Sequence, residues 1–223
     1  MNLSFNEYYE KSIRIAPDGF SFYKLDGKRL ASKSFPNDSV ALISTEAPRF
    51  FAPETPITVV AAWHVPVLVP AEIHNPTKER EYLALQFDIS RFGDTFSDEV
   101  GPYKAIYSLT QNKLDVISRL PNPRQIVSET TLAFRMLRDL DAASAIFIGH
   151  NNGFIDVAAT HKGEPLLANR FQLTEPADIL FYLLHISKQL NMRSPEILLH
   201  FYGEEDRKLL QLLKSFKITP VIL

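Results

Sequence analysis

The chain contains no cysteine, which excludes disulfides, thiolate nucleophiles and Cys-ligated metal. It has no block of like charge, and 24 Lys+Arg against 26 Asp+Glu leave a formal net charge of −2. That balance lacks the electrostatic footprint of a protein that grips nucleic acid or an anionic membrane. No apolar run approaches the roughly 18 residues a spanning helix requires. The greasiest stretch, Ile179 to Ile186, is short and carries His185. The opening Met1-Asn2-Leu3-Ser4-Phe5-Asn6-Glu7 has no basic segment followed by an apolar one, so no signal peptide is read and a cytoplasmic location is expected. No two histidines stand at His-x-His or His-x-x-x-His spacing, so no metal site is expected. A Gly-x-Ser-x-Gly elbow for serine hydrolysis is absent as well.

What is present is the material of a globular core: 223 residues, 45% of them hydrophobic, enough for one or two domains. The C-terminal half reads most clearly. Ala145-Ile146-Phe147-Ile148 is an apolar strand, Gly149-His150-Asn151-Asn152-Gly153 a turn, and Phe154 to Thr160 a second strand. His161-Lys162-Gly163-Glu164 turns the chain again into Pro165 to Phe171, completing an antiparallel meander. Thr174 or Glu175 caps a helix with Pro176 near its first position, and its apolar residues recur at helical spacing to about Asn191. Glu196 to Phe201 is apolar at nearly every position, as a strand buried on both faces would be. Gly203 breaks it. Glu204-Glu205-Asp206 place acids at the positive end of a last helix, with Lys214 and Lys217 near its negative end, and Ile218 to Leu223 reads as a final strand.

The N-terminal half opens the same way. Ser12 to Ala16, Phe20 to Leu25 and Leu30 to Phe35 read as strands joined by turns at Pro17-Asp18-Gly19 and Asp26-Gly27. Six prolines between positions 48 and 76 then leave a helix poorly supported. Thr58 to Ala62 and Val65 to Val69 read as short strands, the second broken by Pro66. A helix starts near Thr77, Lys104 to Leu109 is a strand, and Asp94 to Asp98 with Glu99 is a solvated loop. Asn112 to Leu120 is a helix, Gln125 to Val127 a strand, and Glu129 to Leu140 a helix capped by Ser128. Trp63-His64 reads as a core aromatic beside a hydrogen-bonded neighbour.

Both halves thus carry the order βββαβαβ, whose late strand–helix–strand links imply parallel, right-handed crossovers. The expected class is α/β with two ribonuclease H-like halves. The expected division is 1–110 for the first half, 111–143 for connecting helices and 144–223 for the second.

This pattern resembles the actin-like ATPase superfamily and, more narrowly, an uncharacterised bacterial family assigned to that fold. The residues that carry the likeness are Ser12-Ile13-Arg14-Ile15-Ala16-Pro17-Asp18-Gly19-Phe20-Ser21-Phe22, Phe154-Ile155-Asp156-Val157 through Asn169-Arg170-Phe171, and Asp178-Ile179-Leu180-Phe181-Tyr182. The resemblance implies ATP in the cleft between halves, with a phosphate loop at each first hairpin turn and a carboxylate there holding Mg²⁺ through water. Such a loop needs glycine so that amides can reach phosphate oxygens, and an acid for the metal.

This chain departs from that pattern at both turns. In Ala16-Pro17-Asp18-Gly19-Phe20 the acid and glycine are adjacent, Pro17 lacks an N–H, and Phe20 stands where a small hydroxyl residue is expected. In the second turn no acid precedes Gly149; Phe147 and Ile148 stand there, and Asp156 comes three residues after Gly153. The adenosine side of such a site calls for a glycine pair, but Tyr202-Gly203-Glu204 offers one glycine. Both turns read as ordinary hairpins, with phosphate loops as the alternative. The expectation is a non-catalytic binding or scaffold protein with a protein partner, no cofactor and no catalytic residue. The runner-up is an ATPase or small-molecule kinase using Asp18, Gly19, Gly149, Asn151, Asn152, Gly153 and Gly203.

Overall fold

The computed structural model describes residues 8–26, 29–140, 142–151, 153–202 and 206–222. They form two compact units dividing after Leu132, each built on a five-stranded sheet. The first unit opens with the antiparallel meander β1 (Ser12–Ala16), β2 (Gly19–Asp26) and β3 (Arg29–Pro36), followed by α1 (Ile43–Phe50) and β4 (Ile57–Ala61). An insertion comes next: β5 (Val67–Pro70), α2 (Glu79–Ala84), β6 (Thr95–Val100) and β7 (Tyr103–Ser108). Then α3 (Gln111–Ser118) leads to β8 (Pro123–Ser128), and the sheet order is β3-β2-β1-β4-β8. Helix α4 (Glu129–Asp139) carries the chain from one unit into the other.

Alternation along β1 and β2 decides the core. Ile13, Ile15, Phe20 and Phe22 share one face and pack with Ile43 and Ala47 of α1 and Val116 of α3. The Phe20 ring stacks on Phe35 with centroids 5.1 Å apart, so the residue in the place of a phosphate-loop hydroxyl is core filler. β1 is buried on both faces, which puts its polar residues Ser12 and Arg14 inside the unit.

Two segments differ from the sequence expectation in this unit. The proline-rich stretch does hold a helix: α1 runs through Pro48, because Ile43 and Ala47 are fully buried under the sheet and that burial outweighs a single lost ladder bond. The stretch expected as a solvated loop is instead β6, an edge strand paired to β7 from Thr95 to Val100. Its polar side chains suit an edge with one wet face. β5, β7 and β6 make a separate three-stranded sheet with a small core of Val67, Val69, Leu83 and Ile106.

The second unit has the order βββαβαβ without insertion: β9 (Ser144–Asn151), β10 (Phe154–His161), β11 (Glu164–Gln172), α5 (Ala177–Gln189), β12 (Glu196–Phe201), α6 (Arg207–Ser215) and β13 (Val221–Ile222). The sheet order is β11-β10-β9-β12-β13, with β12 parallel to β9 and β13. Ile146, Ile148, Ile155 and Val157 meet Ile179, Leu183, Leu209 and Leu213 of the two helices. The last strand is shorter than expected, because the chain must first leave α6.

It does so by the same device that ends α5. Met192 N–H donates to Ser187 O (2.8 Å) and Ile218 N–H to Leu213 O (2.9 Å), each after a left-handed residue: Asn191 at φ 51° and Lys217 at φ 59°. These are Schellman turns, in which glycine is the usual occupant. Asn tolerates the conformation, whereas Lys217 adopts it at a cost of about 1 kcal/mol. Both turns fold the next apolar residue, Met192 or Ile218, back onto the core. No helix among the described residues is long and apolar enough to cross a membrane.

Candidate functional site

The first hairpin turn is held by side chains from elsewhere in its unit. Lys113, on α3 and 5% exposed, donates from Nζ to Ala16 O (2.9 Å) and to Asn37 Oδ1, while Asn37 Nδ2 donates to Pro17 O (2.7 Å). Burial pushes the Lys113 ammonium down to about 8, with the Asp18 carboxylate pulling weakly the other way. Its ammonium also lies 5.3 Å from the centre of the Trp63 ring. Asp18 itself is exposed. Gly19 is glycine for a local reason: a Cβ there would stand 2.0 Å from Phe35 O, because β3 crosses directly against it. Hairpin closure accounts for this glycine.

The second turn is narrower than the sequence implied. β9 continues through Asn151 and β10 starts at Phe154, so Gly149 and Asn151 are strand residues. The full ladder with β10 overrides the local turn propensity of Gly and Asn. Gly149 sits opposite Asp156 on one side and His200 on the other, and Arg170 lies opposite Asp156. Arg170, Asp156, Gly149 and His200 therefore form one row across four strands.

The chemistry of this row is already paired. Arg170 donates from Nε to Asp156 Oδ1 (2.7 Å) and from Nη2 to Oδ2 (2.9 Å), a bidentate ion pair. Its guanidinium also lies 4.1 Å from the Phe154 ring centre. Buried Asn151 donates from Nδ2 to Gly149 O (3.2 Å) and to Asp156 Oδ2 (3.5 Å). A Cβ on Gly149 would meet the Tyr202 ring at 2.9 Å and the Phe147 ring at 3.3 Å. Gly149 thus lies beneath aromatic rings in a paired strand. Gly153, at φ +84° with open space around it, is the conformational glycine of the turn, and its carbonyl accepts from Leu173 N–H (2.9 Å). Asn152 and Gly203 lie outside the described residues.

Two further polar clusters in the first unit carried no signal in the sequence. Arg14 donates from Nε to Glu129 Oε1 (2.6 Å) and from Nη2 to Oε2 (3.1 Å), and Tyr9 OH donates to Oε1 (2.8 Å). All three residues are buried, and burial raises the phenol of nearby Tyr23. Asp98, on β6, accepts at Oδ2 from Ser128 N–H (2.7 Å) and Thr131 Oγ1 (2.8 Å), and at Oδ1 from Tyr107 OH (3.2 Å). It thereby fastens the insertion to the start of α4. Apart from Tyr107, nine positions from Asp98, the partners are 30 to 120 residues apart in sequence, beyond any local pattern.

The histidines are structural in their contacts. His64 accepts at Nε2 from Ser108 N–H (3.1 Å), so its proton sits on Nδ1 and points to Val65 O (2.8 Å). Its ring stacks on Phe92 at 5.1 Å. His161 shares a hydrogen bond with Ser144 Oγ (2.9 Å). Burial lowers the His150 imidazole, whose ring meets Phe201 at 5.2 Å.

A family model described as "Protein of unknown function (DUF3822)" matches residues 1–218. The chain belongs to the DUF3822 family. A Bacteroides thetaiotaomicron VPI-5482 protein with actin-like ATPase fold and unknown function superposes on this DUF3822 chain at TM-score 0.68 and 18% identity, covering 99% of this chain and 94% of that one. The PilM–PilN type IV pilus biogenesis complex gives TM-score 0.53 at 15% identity over 95% of this chain and 87% of the other. The ethanolamine utilization protein EutJ from Carboxydothermus hydrogenoformans gives 0.53 at 6% identity over 95% and 83%. Among curated proteins none matches this sequence. This DUF3822 protein has the actin-like ATPase fold.

Proposed function

We propose that this DUF3822 protein is a cytoplasmic, non-catalytic member of the actin-like fold that acts by binding another protein. One observation carries the reading. The residues at the two phosphate-loop positions are committed to the fold itself: Gly19 makes room for Phe35 O, and Gly149 lies in a ladder under Tyr202. The acid nearest the second turn, Asp156, is neutralised by Arg170. A triphosphate and its metal need unengaged amides and an unpaired carboxylate. The fold relative captured as the PilM–PilN complex is engaged with another protein, which supports a binding role on this scaffold.

A second reading, nucleotide binding at the first turn, is favoured by the Lys113 ammonium lying near exposed Asp18. Calorimetry with Mg-ATP separates the two. The proposal expects no heat of binding at millimolar nucleotide. Micromolar binding abolished by Asp18→Ala or Lys113→Met would establish the second.

A further inference from the structure

On the second unit, an apolar groove of about 630 Å³ opens between α5 and the turn from α6 into β13. Its walls include Leu183, Met192, Ile197 and Ile218 from the core side and Leu184 and Val221 from the rim. The rim residues are 54% and 53% exposed, and Phe181, one turn before Leu184 on α5, is 62% exposed. Among the described residues β13 pairs with β12 at Leu198 and Leu199, and its first residue, Val221, stands opposite Leu198, past Glu196 and Ile197 at the groove. These are large apolar side chains around a concavity beside an open sheet edge, a combination that marks an interaction site.

Charge tells what fits there. Lys217 lines the groove, and Lys188 and Arg193, both exposed, adjoin the lining residues Ser187, Met192 and Ser194. Lys214, exposed in the last turn of α6, precedes the lining residue Lys217 by three positions. Asp206 is spent as the N-cap of that helix, accepting from Lys208 N–H and Leu209 N–H. Glu196 is the acid among the lining residues. Exposed Lys188, Arg193, Lys214 and Lys217 thus line the groove or neighbour its lining in sequence, against Glu196 as the acid of the lining. Lys217, moreover, carries its charge in a left-handed position that glycine would fill with less strain.

We propose that this groove docks an acidic segment of a partner protein, whose apolar side chains enter between Leu184 and Val221 while its carboxylates meet Lys188, Arg193 and Lys217. The inference rests on the protein-binding reading above. Shape favours a polypeptide over a membrane: the apolar residues line a hollow, whereas a bilayer engages a protruding face. Charge favours a foreign acidic segment over a symmetric contact with a second copy, which would oppose like rims.

The test is selection from a random peptide display library against the full chain, followed by fluorescence anisotropy of the enriched peptides. Enriched sequences are expected to carry net negative charge with at least two bulky apolar residues. Their affinity should fall about tenfold or more for Leu184→Asp and for the double variant Lys188→Glu/Lys217→Glu, and should weaken as salt rises. All three positions are on the surface, and the charge variant serves should Leu184→Asp fold poorly. Enriched peptides of no common charge, or equal binding to the variants, overturn the proposal. So does co-sedimentation with phosphatidylserine vesicles that Leu184→Asp abolishes, which assigns the face to a membrane. Concentration-dependent dimerisation lost in the same variant assigns it to self-association. Mg-ATP binding with the peptide result intact would sink the non-catalytic reading and leave the groove standing.

Discussion

The buried pair of Arg14 and Glu129 makes a quantitative prediction. The side chains are 4% and 5% exposed, joined through two hydrogen bonds of 2.6 and 3.1 Å, with Tyr9 OH adding a third to the carboxylate at 2.8 Å. Two ions taken out of water are tolerated only because each satisfies the other. Glu129→Ala leaves the guanidinium buried without its counter-ion, so the expected loss is about 3 to 5 kcal/mol. Removing both charges with residues of similar bulk, Arg14→Met with Glu129→Leu, should cost much less than either single change. A coupling of about 2 kcal/mol or more is expected, since the singles strand a charge and the double does not. Tyr9→Phe should cost about 1.5 to 3 kcal/mol, the range for a hydrogen bond to an ionised group. Trp63 is the chain's single tryptophan and lies in the same unit, so urea unfolding followed by its fluorescence reports on the right part of the molecule. Additive effects, or a Glu129→Ala loss below about 1 kcal/mol, would refute the reasoning.

Three further outcomes follow from single positions in the two units. Gly19→Ala should prevent normal closure of the β2–β3 edge, because its Cβ would stand 2.0 Å from Phe35 O, whereas Gly153→Ala meets only the strain of φ +84° and should cost about 1 kcal/mol in thermal unfolding. Lys113 holds its proton less tightly when folded, at about 8 against 10.5, so between those pH values the unfolded chain binds the extra proton and stability gains from this residue as pH rises. Denaturant titrations of Lys113→Met at pH 7 to 10 should lack that gain, a slope of up to about 1.4 kcal/mol per pH unit; an unchanged slope would mean the ammonium is not desolvated. Asp98→Ala should cost about 2 kcal/mol and speed amide exchange in the first turn of α4, since one carboxylate there accepts from Ser128 N–H, Thr131 and Tyr107.

The two meanders were legible because alternation and turn residues agree: Ile13, Ile15, Phe20 and Phe22 fall on one face, and Pro17-Asp18 and Lys162-Gly163 close the hairpins. β6 was not legible, because an edge strand with polar side chains on its wet face has the composition of a loop. α1 was hidden by Pro48, whose propensity cost is overridden by burial that only the folded sheet provides. The pairing of Asp156 with Arg170 depends on an irregularity no spacing rule supplies. The β10–β11 register shifts between Ala159 and Thr160; without that shift Asp156 would face Asn169. Leu166 is the residue passed over by the ladder and is 46% exposed. The hold of Lys113 and Asn37 on the first turn joins residues 76 and 97 positions apart, which only the tertiary structure can bring together.

The glycine amides give the most direct measurement. With ¹⁵N-glycine labelling, the Gly19, Gly149 and Gly153 resonances can be followed while Mg-ATP is added. If these residues serve hairpin closure and strand packing, their positions stay fixed up to millimolar nucleotide. A saturable, magnesium-dependent shift of Gly19 or Gly149, lost in Asp18→Ala, would contradict the account.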